Sequence, residues 1–142
     1  GCMNSPLYST RVTKIIMVIN GSGGVEIAAP YHEEGSTEIR YKKISAQLKR
    51  GMVFVVPPGY PLVLLASENE TLETLNLEFF AKGNNKHLLG GRNNILKFLP
   101  KEAKELAFGT TIEEVDAVLN SQHLDFFMKG PSQLKRPYAA AF

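Results

Sequence analysis

One stretch near the middle of the chain leaves few folds open: Gly51-Met52-Val53-Phe54-Val55-Val56-Pro57-Pro58-Gly59-Tyr60-Pro61-Leu62. Its apolar, largely β-branched run reads as a buried strand, and the glycine before it and Pro-Pro-Gly after it supply turns at both ends. A second strand leaves at Leu62, so the unit is strand, turn, strand.

The same grammar extends to either side. Residues 12–19 form a β-branched run, and Asn20-Gly21-Ser22-Gly23-Gly24 separates them from Val25-Glu26-Ile27, which predicts a tight hairpin. Residues 28–36, with Pro30, His32 and Gly35, read as a loop. Ile39 and Tyr41 alternate with charged residues, whereas Ile44, Ala46 and Leu48 take the opposite parity, so a bulge is expected near Lys42-Lys43. Residues 62–66 and 71–80 supply further strands, the last with Leu75, Leu77 and Phe79 on one face. About six short strands with regular turns make a mainly β chain of barrel or sandwich type.

After Ala81 helical periodicity replaces alternation. Residues 94–99 read as a short helical turn, Pro100 opens a helix that Gly109 closes, and Thr111 with Glu114 forms a capping box for another. Ile112, Val115, Val118 and Leu119 fall on one stripe, which short helices cannot bury alone, so a contact between subunits is expected there and at Phe126 and Phe127. The chain divides into barrel strands (1–81), a helical arm (82–128) and a frayed tail (129–142).

Composition narrows the function classes. A 142-residue chain with 44% apolar residues can bury one core, and a net charge of +2 gives no electrostatic case for nucleic acid or a membrane surface. Cys2 is the sole cysteine, so no intrachain disulfide forms, and it reads as a small buried thiol. No apolar run approaches the roughly 18 residues a bilayer span needs, and residues 1–10 lack the pattern of a signal peptide, so the chain reads as mature or cut.

The spacing Gly51, five residues, Pro57, one residue, Gly59 resembles the second signature of the cupin barrel, with Leu62 where that family places a metal-binding His. Gly1 and Gly21 fit the spacing of its first signature, with Leu7, Ser9 and Lys14 at the three ligand positions. Catalytic cupins use imidazole and carboxylate there to hold Mn or Fe; two aliphatic groups, a hydroxyl and an ammonium cannot, and the ammonium repels a cation. Two further segments, Asn84-Asn85-Lys86-His87-Leu88-Leu89-Gly90-Gly91 and Lys101-Glu102-Ala103-Lys104-Glu105-Leu106-Ala107-Phe108-Gly109, resemble the C-terminal arm of 7S vicilin seed storage globulins. Tyr41-Lys42-Lys43-Ile44-Ser45-Ala46-Gln47-Leu48 and residues 6–13 are similar to the second cupin domain of the same family.

That resemblance implies a cupin jelly-roll barrel followed by a helical arm, trimers joined through the arm, passage through the secretory pathway to the seed storage vacuole, and no turnover. Because the chain starts at the first signature, it also implies an incomplete barrel, completed by the N-terminal part of the same precursor as a separate chain. Some vicilins carry copper between a Cys-Pro-His turn and a Gly-His-Pro turn. The corresponding residues here are Ala29-Pro30-Tyr31 and Gly59-Tyr60-Pro61, so no cofactor is expected, and copper would require His32, one position off, to compensate. Tyr31 and Tyr60 are instead candidates to line the barrel mouth and bind a small carboxylate or aromatic ligand.

The remaining candidates have plain readings. His87 and His123 lack a base partner, and Glu33-Glu34 and Glu113-Glu114 are adjacent rather than facing pairs. Asn69-Glu70-Thr71 is an N-glycosylation sequon in a predicted turn; Asn20-Gly21-Ser22 also fits formally but falls in the expected hairpin. The expected function is a nutrient reservoir. The alternatives are a metal-dependent cupin enzyme of oxalate oxidase or superoxide dismutase type, and a small-molecule or sugar-binding cupin.

Overall fold

Alternating apolar residues turn most of the first ninety positions into strands, and the computed structural model describes residues 1–130. In order they are β1 (Cys2–Asn4), β2 (Leu7–Ser9), β3 (Thr13–Asn20), β4 (Ser22–His32), β5 (Ile39–Lys49), β6 (Val53–Val56), β7 (Leu62–Ala66), β8 (Glu73–Phe79) and β9 (Lys86–Leu88). A short 3₁₀ helix (Ile95–Phe98), at the helical turn expected over 94–99, two α-helices, α1 (Lys101–Phe108) and α2 (Ile112–Asn120), and a last strand, β10 (Phe127–Lys129), complete the described chain.

The strands form two sheets, and every pairing is antiparallel. In the wide sheet β5 pairs with β4, β4 with β7, and β7 with both β1 and β2, which in turn pair with β10 and β9. The second sheet has the order β6-β3-β8. Ile16, Val18, Val25, Ile27, Leu48 and Val56 pack between them as the core. Strands β6 and β8 pair only with β3 among the described residues, so the barrel is not closed.

The hairpin expected at Asn20-Gly21-Ser22 is instead a corner. Strand β3 lies in one sheet and β4 in the other, so the chain changes layers across the single residue Gly21. Gly21 has φ +77°, and a Cβ there would stand 1.6 Å from the Thr71 carbonyl oxygen. Two residues on, a Cβ on Gly23 would stand 2.1 Å from the Leu65 carbonyl oxygen. Gly21 therefore serves close backbone approach where the chain crosses between layers, and Gly23 close approach to the neighbouring strand β7 of its own sheet.

Two further expectations change for physical reasons. Residues 28–32 continue β4 instead of looping. The Ala28 amide donates to the Pro61 carbonyl, away from β5, so Pro30, two residues on, turns its missing N–H toward an edge that needs no donor. The predicted bulge at Lys42-Lys43 is absent: β4 and β5 keep one register through eleven pairs, from Ser22 opposite Lys49 to His32 opposite Ile39. Strand β5 is exposed on both faces over most of its length, so no buried face dictates parity until Leu48.

Leu75, Leu77 and Phe79 do share a face of β8, but it is the outer one, with exposures of 46–50%. The intervening Thr74, Asn76 and Glu78 line the interior. Met17 and Ile19 of β3 and Val53 and Val55 of β6 are likewise exposed, so the small sheet presents an apolar outer surface.

The barrel's contribution also runs past Ala81, since β9 pairs with β2 and β10 pairs with β1. Lys129, expected to begin a tail over 129–142, instead ends a strand; residues 131–142 of that expected tail lie outside the described residues. In the arm, Pro100 is the N-cap of α1 and Gly109, at φ +65°, closes it as expected. Thr111 makes no side-chain cap bond; Glu105 Oε1 accepts from the Ile112 amide, and Glu114 pairs with the Thr110 hydroxyl instead. Buried Lys104 ties the helices together, its ammonium donating to Asp116 Oδ1 at 2.7 Å.

Substituting Gly21→Ala places a methyl group inside a backbone carbonyl and is expected to cost more than about 4 kcal/mol. Gly35→Ala, also at positive φ but with open space around it, should cost only about 1 to 2 kcal/mol. Urea unfolding of both variants checks this, and equal losses would contradict the corner's role.

Candidate functional site

The two sheets enclose a cavity of about 730 Å³. Its walls follow from strand alternation: Leu7, Lys14, Ile16, Leu62 and Leu64 point in from β2, β3 and β7, and Thr74, Asn76 and Glu78 from β8. The positions singled out from spacing do converge. Leu7 stands directly opposite Leu62, and Lys14 is paired with Glu78 across one ladder and Val56 across the other. Ser9 is buried, and its Oγ has no hydrogen-bond partner among the described residues.

Lys14 gives this interior its electrostatic character. Its side chain is only 9% exposed, yet its Nζ lies 3.9 Å from Glu78 Oε1, while Lys86 Nζ takes the same oxygen at 2.8 Å. Burial pushes the Lys14 pKa below its ordinary 10.5; Glu78 opposes the shift and Lys86 adds to it. One carboxylate is thus shared by two cations, with Lys86 holding the better geometry.

These residues do not fit a cupin metal. The four residues that spacing aligns with ligand positions are Leu7, Ser9, Lys14 and Leu62, whose side chains make no metal-binding set, and no group of three or more His, Cys, Asp or Glu residues gathers at ligating distance among the described residues. The copper turns are placed just as unfavourably. Ala29 is buried, Tyr31 sits opposite Arg40, Tyr60 packs against the core, and exposed His32 faces Ile39 at the end of β4. Neither Tyr31 nor Tyr60 is among the cavity-lining residues.

Cys2 corrects the buried-thiol expectation: it is exposed, at the cavity's edge, near the start of the chain. His87 stacks on Tyr8 with ring centroids 5.1 Å apart, and His123 is exposed beyond α2. Glu33 pairs with Arg40 at 2.9 Å. Spacing alone missed Glu78 and Lys86, the partners that define the site's charge. The polar parity of Thr74, Asn76 and Glu78 was visible in sequence, but which parity faces inward was not.

Because folding disfavours the charged form of Lys14, the unfolded chain holds this proton more tightly. Stability from this group therefore rises as pH climbs from the lowered pKa toward 10.5. Lys14→Met should remove that rise and, with Glu78 still paired to Lys86, raise stability near neutral pH by about 1 kcal/mol. Thermal unfolding of both proteins across neutral and alkaline pH checks this; parallel curves would contradict it.

Comparison with known proteins places this geometry. A family model described as Cupin matches residues 1–116. The chain is 44% identical over 137 residues to vicilin Pis v 3.0101 of Pistacia vera, covering 92% of this chain and 25% of that protein. It is 41% identical over 133 residues to vicilin Cor a 11.0101 of Corylus avellana, covering 94% of this chain and 29% of that protein. The chain thus spans less than a third of the length of these curated relatives. Among solved structures it superposes on Corylus avellana vicilin with a TM-score of 0.85 at 42% identity, covering 93% of this chain and 36% of that one. It also superposes on Solanum melongena vicilin, whose structure revealed different anionic ligands in structurally similar pockets, with a TM-score of 0.86 at 32% identity, covering 93% and 34%.

Proposed function

The chain belongs to the cupin family, and from that membership we propose that it serves as part of a seed storage protein, a nutrient reservoir without catalytic turnover. The observation that carries this reading is the interior itself. The barrel keeps the backbone positions that would hold a metal, yet fills them with Leu7, Ser9, Lys14 and Leu62, while the relatives that share its sequence are vicilins. A metal-dependent enzyme of oxalate oxidase or superoxide dismutase type would need the ligands that are missing.

For such a protein mechanism means assembly. Leu106 is 85% exposed and Val118 69% exposed on the helical arm, and Phe98 is nearly as open. Burying each such side chain is worth roughly 1.5 to 3 kcal/mol, enough to drive association through the arm into trimers. The apolar outer surface of β6-β3-β8 is covered by strands from the rest of a longer polypeptide, since the relatives extend well beyond this chain. The route is the secretory pathway and the destination the seed storage vacuole.

One observation favours a second role for the cavity. An incompletely paired ammonium at Lys14, in the cavity wall, suits a small carboxylate better than a neutral sugar, and the anionic ligands of the Solanum melongena relative support that choice. Such a ligand should stabilise the wild-type protein and not Lys14→Met.

Sedimentation of the full-length protein tests the assembly. The wild type should run as a trimer, and the double variant Leu106→Glu with Val118→Glu should run as a monomer with its β-sheet circular dichroism intact. A monomeric wild type, or a double variant that remains trimeric, would contradict the arm's role.

A further inference from the structure

We propose that the cavity captures small apolar aldehydes as covalent imines on the Lys14 amine. The proposal rests on the cavity alone, and on neither the storage role nor the carboxylate reading. Lys14 and Lys86 are the two lysines that line the cavity among the described residues. They divide one carboxylate unequally. Lys86 Nζ bonds Glu78 Oε1 at 2.8 Å, which leaves Lys14 Nζ 3.9 Å from the same oxygen, too far for a direct hydrogen bond.

These surroundings make an amine a nucleophile. An ammonium has no lone pair to donate, and both withdrawal from water and a neighbouring cation favour the neutral form, which has one. Burial lowers the Lys14 pKa; Glu78 opposes that shift and Lys86 adds to it. Lys104 is the contrasting case. Its side chain is enclosed to the same extent, yet its ammonium donates to Asp116 Oδ1 at 2.7 Å and it is not among the cavity-lining residues. Burial alone therefore does not single out Lys14; burial at a cavity wall, with the counter-ion taken by another lysine, does.

The cavity sets the class of carbonyl compound. Its volume of about 730 Å³ suits a small molecule, and Leu7, Ile16, Leu62 and Leu64 offer an apolar wall to an aliphatic or aromatic tail. The remaining titratable groups in the wall are Glu70, Cys2 and the Gly1 ammonium, the last donating to the Glu68 carbonyl at 2.8 Å. The Lys14 nitrogen bonds to the aldehyde carbon as the carbonyl π pair moves onto oxygen, giving a carbinolamine. The carbon–oxygen bond then breaks, the carbon–nitrogen double bond forms, and the oxygen leaves as water with both protons of the amine. Glu78, beside the nitrogen, is the group placed to relay those protons, and the step needs neither oxidant nor reductant.

Incubation of the full-length protein with limiting hexanal and sodium cyanoborohydride, which reduces an imine to a stable secondary amine, tests this by peptide mass mapping. Lys14 should gain the hexyl group at least about tenfold faster than the average exposed lysine, and the advantage should vanish in urea-unfolded protein. Lys14→Arg keeps the positive charge without the nucleophile, so it should lose the fast phase of incorporation and keep the slow one. Equal labelling of Lys14 and exposed lysines in the folded protein, a fast phase retained in Lys14→Arg, or a preference for Lys14 that survives unfolding would each overturn the proposal.

Discussion

Two close backbone approaches fix one end of the sandwich: Gly21 against the Thr71 carbonyl, where the chain crosses between layers, and Gly23 against the Leu65 carbonyl of the neighbouring strand in its own sheet. No side chain larger than hydrogen fits at either position. Because β3 passes directly into β4 across this corner, Ile16 and Val18 of one sheet are set against Val25 and Ile27 of the other, and the core follows. The β7–β8 connector crosses the same gap beside it, tied by the Ser22–Ser67 hydroxyl pair. Position in the core, the inward aim of Lys14 and the exposure of the Asn69 turn all descend from that crossing.

The small sheet is apolar outside and partly polar inside, the reverse of a free-standing sandwich. Leu75, Leu77 and Phe79 face water while Thr74, Asn76 and Glu78 face the cavity. A sheet built this way is suited to lie between two layers, and this chain spans less than a third of the length of the curated relatives it matches. Inside, Lys14 is held at a cost of desolvation that Glu78 only partly offsets, because Lys86 has the shorter bond to the same carboxylate. A retained ammonium of this kind is compatible with packing or with an anion, and incompatible with a cupin metal.

Much of this was legible in the residues. The β-branched runs located the strands, Gly109 located the end of α1, and the signature spacing brought Leu7, Lys14 and Leu62 to one cavity. What sequence alone could not show were the features decided between segments. Asn20-Gly21-Ser22 satisfies hairpin chemistry locally, and only the distant Thr71 makes it a corner. The Lys42-Lys43 parity change looked like a bulge because a buried face was assumed, and β5 has almost none. Cys2 and Tyr60 exchanged expected surroundings for the same reason: exposure depends on which strand flanks a residue, which one-dimensional spacing does not encode. Lys104 and Asn94, both buried and both bridging the arm's segments, carried no signal, since a lysine in a helix or an asparagine at a cap is ordinary on a surface.

This barrel keeps a cupin's strand plan, and the residues that spacing aligns with the coordination sphere are groups that cannot grip a transition metal. Elemental analysis of the protein purified without chelators, after incubation with manganese, iron or copper and extensive dialysis, tests it most directly. Metal far below one equivalent per chain is expected for each element. One tightly held equivalent, lost on substituting a residue of the Leu7, Ser9, Lys14 and Leu62 cluster, would contradict it.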